Sequence, residues 1–270
     1  MEELGAAIKK RRLAKKMTQA ELGKKAALDH TSVSHIEKGT RVPHRDTFRR
    51  IDKTLEAHGA IFKLRDELDD SPDAERVRSF LTNQSRANVI YHVGNHVPAM
   101  LETEEHTRMA LEAGLAYFGG DLEDKLAYRS EMREILKRPD PPLFKCVLWE
   151  SALQVVAGGT TIMRDQLHHL IERSREPNIE LHVLPFAESA GAPDVGTVIV
   201  WEGPNDRLRA WRDTGNSFGT FINGRTEVSG LMNLYDHVRS RALAPGATRE
   251  LIRKAAEGLY PCLPPDSTCP

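Results

Sequence analysis

TQAELGKKAALDHTSVSHIEKGTRVPHRDTFRRI, residues 18–51, carries two short helix patterns on either side of a tight turn. Thr18 followed three residues later by Glu21 is a capping box, which starts a helix running to about Ala26. Ala27-Leu28-Asp29 leaves room only for a turn. Asp29 is then the N-cap of a helix from His30 to Lys38, with Val33, Ile36 and Leu28 on its inner side, and Gly39 stops it. His30, Thr31, Ser32, Ser34 and His35 fall on the outer side, all polar and all able to donate or accept a hydrogen bond. Thr40 to His44 form a loop containing Pro43. Two short helices joined by a turn of a few residues, one of them facing outward, are a helix-turn-helix. A helix fits the major groove of double-stranded DNA, where its N-terminal half meets base edges.

Working outward, Leu4, Ala7 and Ile8 recur at helical spacing, with Lys9, Lys10, Arg11 and Arg12 as the solvated side of a first helix ending near Lys16. Phe48, Ile51 and Leu55 give a fourth helix. Ile61, Phe62, Leu64 and Leu68, after Gly59, give a fifth. Residues 1–68 therefore read as an all-α five-helix domain. Residues 1–65 hold 16 Lys+Arg against 8 Asp+Glu, a net of +8, while the remainder is acidic enough to bring the 270-residue chain to −1. That asymmetry suits a head that approaches phosphate on an acidic body. Lys9 and Lys10 are candidate phosphate contacts. Lys15, Lys16, Lys24 and Lys25 join them in a run that is in part only solvated surface.

Residues 69–76, DDSPDAER, have no apolar period and read as a linker. Helices are expected over 77–91, 99–117 and 122–136, the last stopped by RPDPP, residues 138–142. Strands are expected over 143–149, 181–184, 197–201 and 208–211, with a helix from Thr161 and final helices over 232–243 and 247–256. Residues 77–258 thus form an α/β domain with a small sheet preceded by helices, and 259–270 a flexible Pro-rich tail.

At 40% hydrophobic and 29% charged, the composition is that of a globular protein long enough for two domains. Cys146, Cys262 and Cys269 are too few for a disulfide framework, and Cys146 sits in an apolar strand as a core thiol. The N-terminus lacks the apolar run of a signal peptide, and no window approaches a membrane span, so a cytoplasmic protein is expected. His168 and Glu172 lie four apart beside His169, but nothing near in sequence completes a metal set, and only folding could bring His182 close. The Gly-Gly pairs at 119 and 158 lack the context of a phosphate loop or a nucleophile elbow. No catalytic residue, metal or cofactor is expected, and the chain does not read as an enzyme. Glu150, directly after a strand, stands where open-sheet ligand sites form; it reads as a ligand contact or as a helix cap. Arg212 and Asp213, beyond the fourth strand, are weaker versions of the same idea.

Residues 4–55 resemble the Xre/Cro-type helix-turn-helix family through Thr18-Gln19, Glu21-Leu22, Ser34, Ile36-Glu37-Lys38-Gly39 and Pro43 at these spacings. The resemblance implies a lambda-repressor-like fold. It implies that Gln19 holds a phosphate and buttresses the base-reading side chains, that His30, Thr31 and Ser32 read bases with His35 a turn later, and that Ser34 touches the backbone. Lys38 to Arg41 are similar to phosphate contacts, and Glu37 to a residue that fixes the local fold. Three features depart from the family pattern. Ala27 replaces the usual turn glycine, Arg11 stands where an apolar residue is frequent, and the base-reading set has no Arg, Asn or Gln for bidentate pairing.

The C-terminal part, over roughly 80–255, resembles the domain catalogued as DUF5753, described as antitoxin-like in the Scr1 family of actinobacterial regulators. The resemblance rests on His96-Val97-Pro98-Ala99-Met100-Leu101-Glu102-Thr103, Arg129, Pro142 to Leu153, Gly159, Met163, Gln166-Leu167, Leu170, Leu181 to Phe186 and Leu243-Ala244-Pro245. Met132-Arg133, Ala99-Met100-Leu101 and Gly191-Ala192 are departures from the family pattern. What the two resemblances imply is a sequence-specific regulator of transcription that binds double-stranded DNA as a homodimer on an inverted repeat. Its body would sense a small molecule or a protein. The alternative is an antitoxin-like protein whose main task is to hold a small DUF397-type partner, its DNA binding being autoregulatory.

Overall fold

The computed structural model describes residues 2–40, 45–67, 72–118, 122–193, 196–213 and 219–260. The chain divides into two compact units, Met1–Arg78 and Ser79–Pro270.

The first unit holds α1 (Glu2–Ala14), α2 (Gln19–Lys25), α3 (His30–Glu37), α4 (Arg45–Thr54) and α5 (Ala60–Glu67). Leu4, Ile8, Leu22, Ala26, Val33, Ile36, Phe48, Ile51, Leu55 and Ile61 close one core between them. Both expected caps are made: Thr18 and Glu21 form the reciprocal capping box, and Asp29 accepts from the Ser32 amide at 2.7 Å. A further cap, with no helix-period signature, comes from Asp52. Its carboxylate takes the Gly59 amide at 2.7 Å and the Ile61 amide at 3.0 Å, so α4 satisfies the open donors of α5. Gly39 ends α3 at φ 71°. Ala27 occupies the left-handed region at φ 54°, so the turn keeps the glycine conformation without the glycine.

Pro72 already opens α6 (Pro72–Arg86), so the second half of the expected linker is helical; 69–71 lie outside the described residues, as does Leu68. The second unit then continues through β1 (Val89–Gly94), a short 3-10 turn at Ala99–Leu101, α7 (Glu104–Phe118), α8 (Leu122–Ile135), β2 (Leu143–Trp149) and α9 (Thr160–Arg173). It ends with β3 (Ile179–Leu184), the short α10 (Phe186–Ser189), β4 (Thr197–Gly203), β5 (Arg207–Asp213), β6 (Thr220–Ile222), α11 (Arg225–Arg241) and α12 (Pro245–Gly258). Among the described residues one six-stranded sheet runs in the order β3-β2-β1-β4-β5-β6. The β1–β2 and β2–β3 pairs are parallel, and β4, β5 and β6 pair antiparallel.

The helix expected over 77–91 is therefore wrong at its end: it stops at Arg86, and Val89–Gly94 is a strand of the sheet interior. The two readings compete because a strand covered on both faces is apolar at almost every position and lacks the alternation that would announce it. Ile90 packs with Phe144, Cys146, Leu148, Trp201 and the helices α6, α8, α9 and α12, and the His92 ring lies beside Phe144. Val93 faces the other way, with Val147, onto Tyr235 and Val238 of α11. Strand β6 was not foreseen either, being three residues long. Tyr260, which the sequence reading placed in the tail, is buried and donates its hydroxyl to the Leu153 carbonyl at 3.0 Å. The rest of that tail, with Cys262 and Cys269, lies outside the described residues.

Candidate nucleic-acid interface

Helix α3 turns Val33 and Ile36 into the core and leaves His30, Thr31 and His35 exposed, with Ser34 half-exposed. Ser32 does not belong with them. It is buried, and its hydroxyl donates to Asp29 at 2.6 Å, so it finishes the helix cap and is not on the outer face. On the outer face the Thr40 hydroxyl donates to the His35 carbonyl at 3.1 Å while lying 3.1 Å from His35 Nδ1. A hydroxyl has one proton; with it spent on the carbonyl, Nδ1 must donate, and the neutral ring presents Nε2 as an acceptor. Lys38, Lys9 and Lys10 are exposed, and the field of Lys9 reaches Glu37. Arg41 lies outside the described residues.

Behind this face is a polar core that the sequence reading located only in part. Arg12, expected on the solvated side of α1, is buried and meets Glu37 with two nitrogens at 2.5 and 2.9 Å. A third nitrogen of the same guanidinium donates to the Met17 carbonyl at 2.7 Å. Glu37 Oε2 also takes the Gln19 side-chain amide at 2.8 Å, so Gln19 is fixed at the start of α2 by a carboxylate fixed from below. Burial alone would raise the Glu37 carboxyl, but the hydrogen bonds from Arg12 and Gln19 outweigh it and hold it below the usual carboxylate range. The signal was present: Leu4, Ile8 and Arg12 are four apart, on one face. Arg11, by contrast, is exposed, so its departure from an apolar preference costs nothing in packing.

In the second unit Glu150, Arg212 and Asp213 are not brought together. β1 and β4 separate β2 from β5, which at ordinary strand spacing is roughly 14 Å. The Glu150 carboxylate accepts the Phe186 amide at 2.7 Å and so caps α10, not the turn that follows it in sequence. His182 is held by Glu180 at 2.8 Å and lies 2.8 Å from the Leu243 carbonyl, away from His168. Cys146 is fully buried, and burial pushes its thiol pKa up. What does converge is a set of residues scattered through the chain. Gln166 holds the 101–103 backbone from both sides, accepting from the Thr103 amide at 2.7 Å and donating to the Leu101 carbonyl at 2.8 Å. Beside it the buried Glu102 lies 3.1 Å from the Thr107 hydroxyl, which is also 2.8 Å from the Thr103 carbonyl, with His106 at 3.3 Å and Arg129 at 3.5 Å. Arg133 donates to the Thr107 hydroxyl at 3.1 Å.

An outward helix held by its predecessor over a basic surface, joined to an α/β body, defines a DNA-binding regulator of the helix-turn-helix class. Residues 3–62 match the model of a helix-turn-helix domain. Residues 77–254 match a domain of unknown function, DUF5753, and the chain belongs to that family. No curated protein and no solved structure matches the chain.

Proposed function

We propose that this protein is a sequence-specific, Xre-type regulator of transcription that reads double-stranded DNA through the outer face of α3. The observation that carries the reading is the sorting of that helix: every apolar side chain is turned in, and His30, Thr31 and His35 are left outward at its N-terminal half and one turn on. Gln19, Ser34, Lys38, Arg41, Lys9 and Lys10 would hold the phosphates on either side. One head covers one half-site, so useful affinity calls for a homodimer on an inverted repeat, half-sites near one helical turn apart. The second unit would carry dimerisation and sensing, of a small molecule or a DUF397-type protein, as in antitoxin-like actinobacterial regulators. No helix among the described residues is long and apolar enough to cross a membrane, which suits a DNA-facing role in the cytoplasm. The helix-turn-helix match points to a regulator, and we read the chain as no enzyme.

The test is binding to a native promoter and to random duplex across a salt series. His30→Ala or Thr31→Ala is expected to lower specific affinity by about 1–3 kcal/mol with little change on random duplex. Lys9→Ala with Lys10→Ala should weaken both alike and lower the salt slope by about 1 for each lysine that touches a phosphate. Equal weakening on both duplexes for the α3 variants would refute the assignment.

A further inference from the structure

The polar seam where α8 faces α9 is electrically closed at one end and open at the other. At the closed end Glu102 is matched by Arg129, His106 and Thr107, as described above. Further along, Arg133 and Lys137 continue the row begun by Arg129, each four residues on, and α9 answers with His169 and Arg173. The fields of Arg173, Lys137 and Arg133 all act on the half-buried His169, and Arg133 and Arg173 both act on Glu134, so these basic groups lie within electrostatic reach of His169. Glu134 is drawn off by Lys137 Nζ at 2.9 Å, and Glu176 by one nitrogen of Arg173 at 3.0 Å. Both carboxylates reach solvent, 64% and 37% exposed.

The decisive group is Arg173. It is 8% exposed, yet its Nε and Nη2 are buried and make no hydrogen bond. Its position in the last turn of α9 explains a cation there through the helix dipole. The dipole leaves the remaining nitrogens without a hydrogen-bond acceptor among the described residues. Buried guanidinium donors that meet no acceptor within the chain are the exception in folded proteins and call for a partner. Two adjacent nitrogens of one planar fork match two oxygens of one acceptor.

We propose that this seam binds a compact oxyanion, the phosphate or carboxylate group of a small molecule, with Arg173 as its fork and Arg133, Lys137 and His169 around it. The inference gives an effector site to the function proposed above and rests on that reading only for its biological use. The test uses the full chain and inorganic phosphate as probe, following thermal unfolding at ionic strength held constant with chloride. Phosphate in tenfold excess over its dissociation constant should raise the midpoint by roughly 4 °C. Arg173→Lys and the exposed Lys137→Gln should each lose most of that rise while unfolding as cooperatively as the parent, and Lys9→Gln with Lys10→Gln should keep it. A parallel series with succinate separates the two oxyanions, the larger shift naming the preferred one. Phosphate no better than chloride would overturn the proposal, as would a shift that survives both seam variants or vanishes only with the lysine pair of α1. DNA binding is read in a separate assay, so its failure would remove the proposed function and leave this shift untouched.

Discussion

Arg12 shows how much one residue can decide. A guanidinium buried with Glu37 is stable only as a pair, because either partner alone leaves an uncompensated charge away from water. Arg12→Ala should therefore cost about 3 kcal/mol of the stability of the first unit, while Arg12→Met with Glu37→Met recovers most of it; denaturant unfolding of the three chains checks both. The sign of the pH dependence follows from the carboxyl. Its folded pKa is depressed, so its contribution is present above the unfolded value and fades as pH falls through the folded one. His92 acts in a different window. It is fully enclosed beside Phe144 and Cys146, and burial lowers it to about 4. Its folded value lies below the unfolded one, so the unfolded chain binds the extra proton between pH 6.5 and 4, and stability falls as pH drops through that range. His92→Leu should remove up to about 3 kcal/mol of that fall, seen as a flatter curve of unfolding free energy against pH. Ala27 at φ 54° carries backbone strain that glycine would not, so Ala27→Gly should stabilise by about 0.5–1 kcal/mol in the same assay.

At the scale of elements, the placement of α3 depends on how closely α1 approaches its end. A Cβ on Gly5 would stand 2.5 Å from the Glu37 carbonyl oxygen and 2.6 Å from that of Ile36, so the two helices meet backbone to backbone there. Gly5→Ala should force them apart and cost about 2 kcal/mol, with loss of specific DNA binding at temperatures where the fold persists. Much of this architecture was legible in sequence. The Thr18–Glu21 box, the Asp29 cap and the Val33–Ile36 spacing each name their own neighbours three or four residues away. What escaped was non-local. Ser32 looked like an outward polar group because periodicity does not say that Asp29 takes its hydroxyl. Arg12 looked solvated because charge outweighed its place in the Leu4–Ile8 row. Strand β1 was mistaken for helix because its partners lie more than fifty residues away on β2 and more than a hundred away on β4. Glu102, the Arg129–Arg133 pair and Gln166 stand apart in sequence, and nothing in their spacing says that they meet.

For the molecule as a whole, the division at residues 78–79 separates a helical unit, whose first 65 residues carry a net of +8, from an acidic α/β body. The two matched models cover 3–62 and 77–254, the second beginning two residues before that division. The central claim is that His30, Thr31 and His35 choose bases. Selection of bound sites from a randomised duplex library, with the full chain and with His30→Ala/Thr31→Ala, measures this directly. The account predicts that the parent enriches one two-fold-symmetric motif and that the variant loses information at the same few positions of each half-site. A parent that enriches no motif, or a variant that enriches the unchanged one, would contradict it.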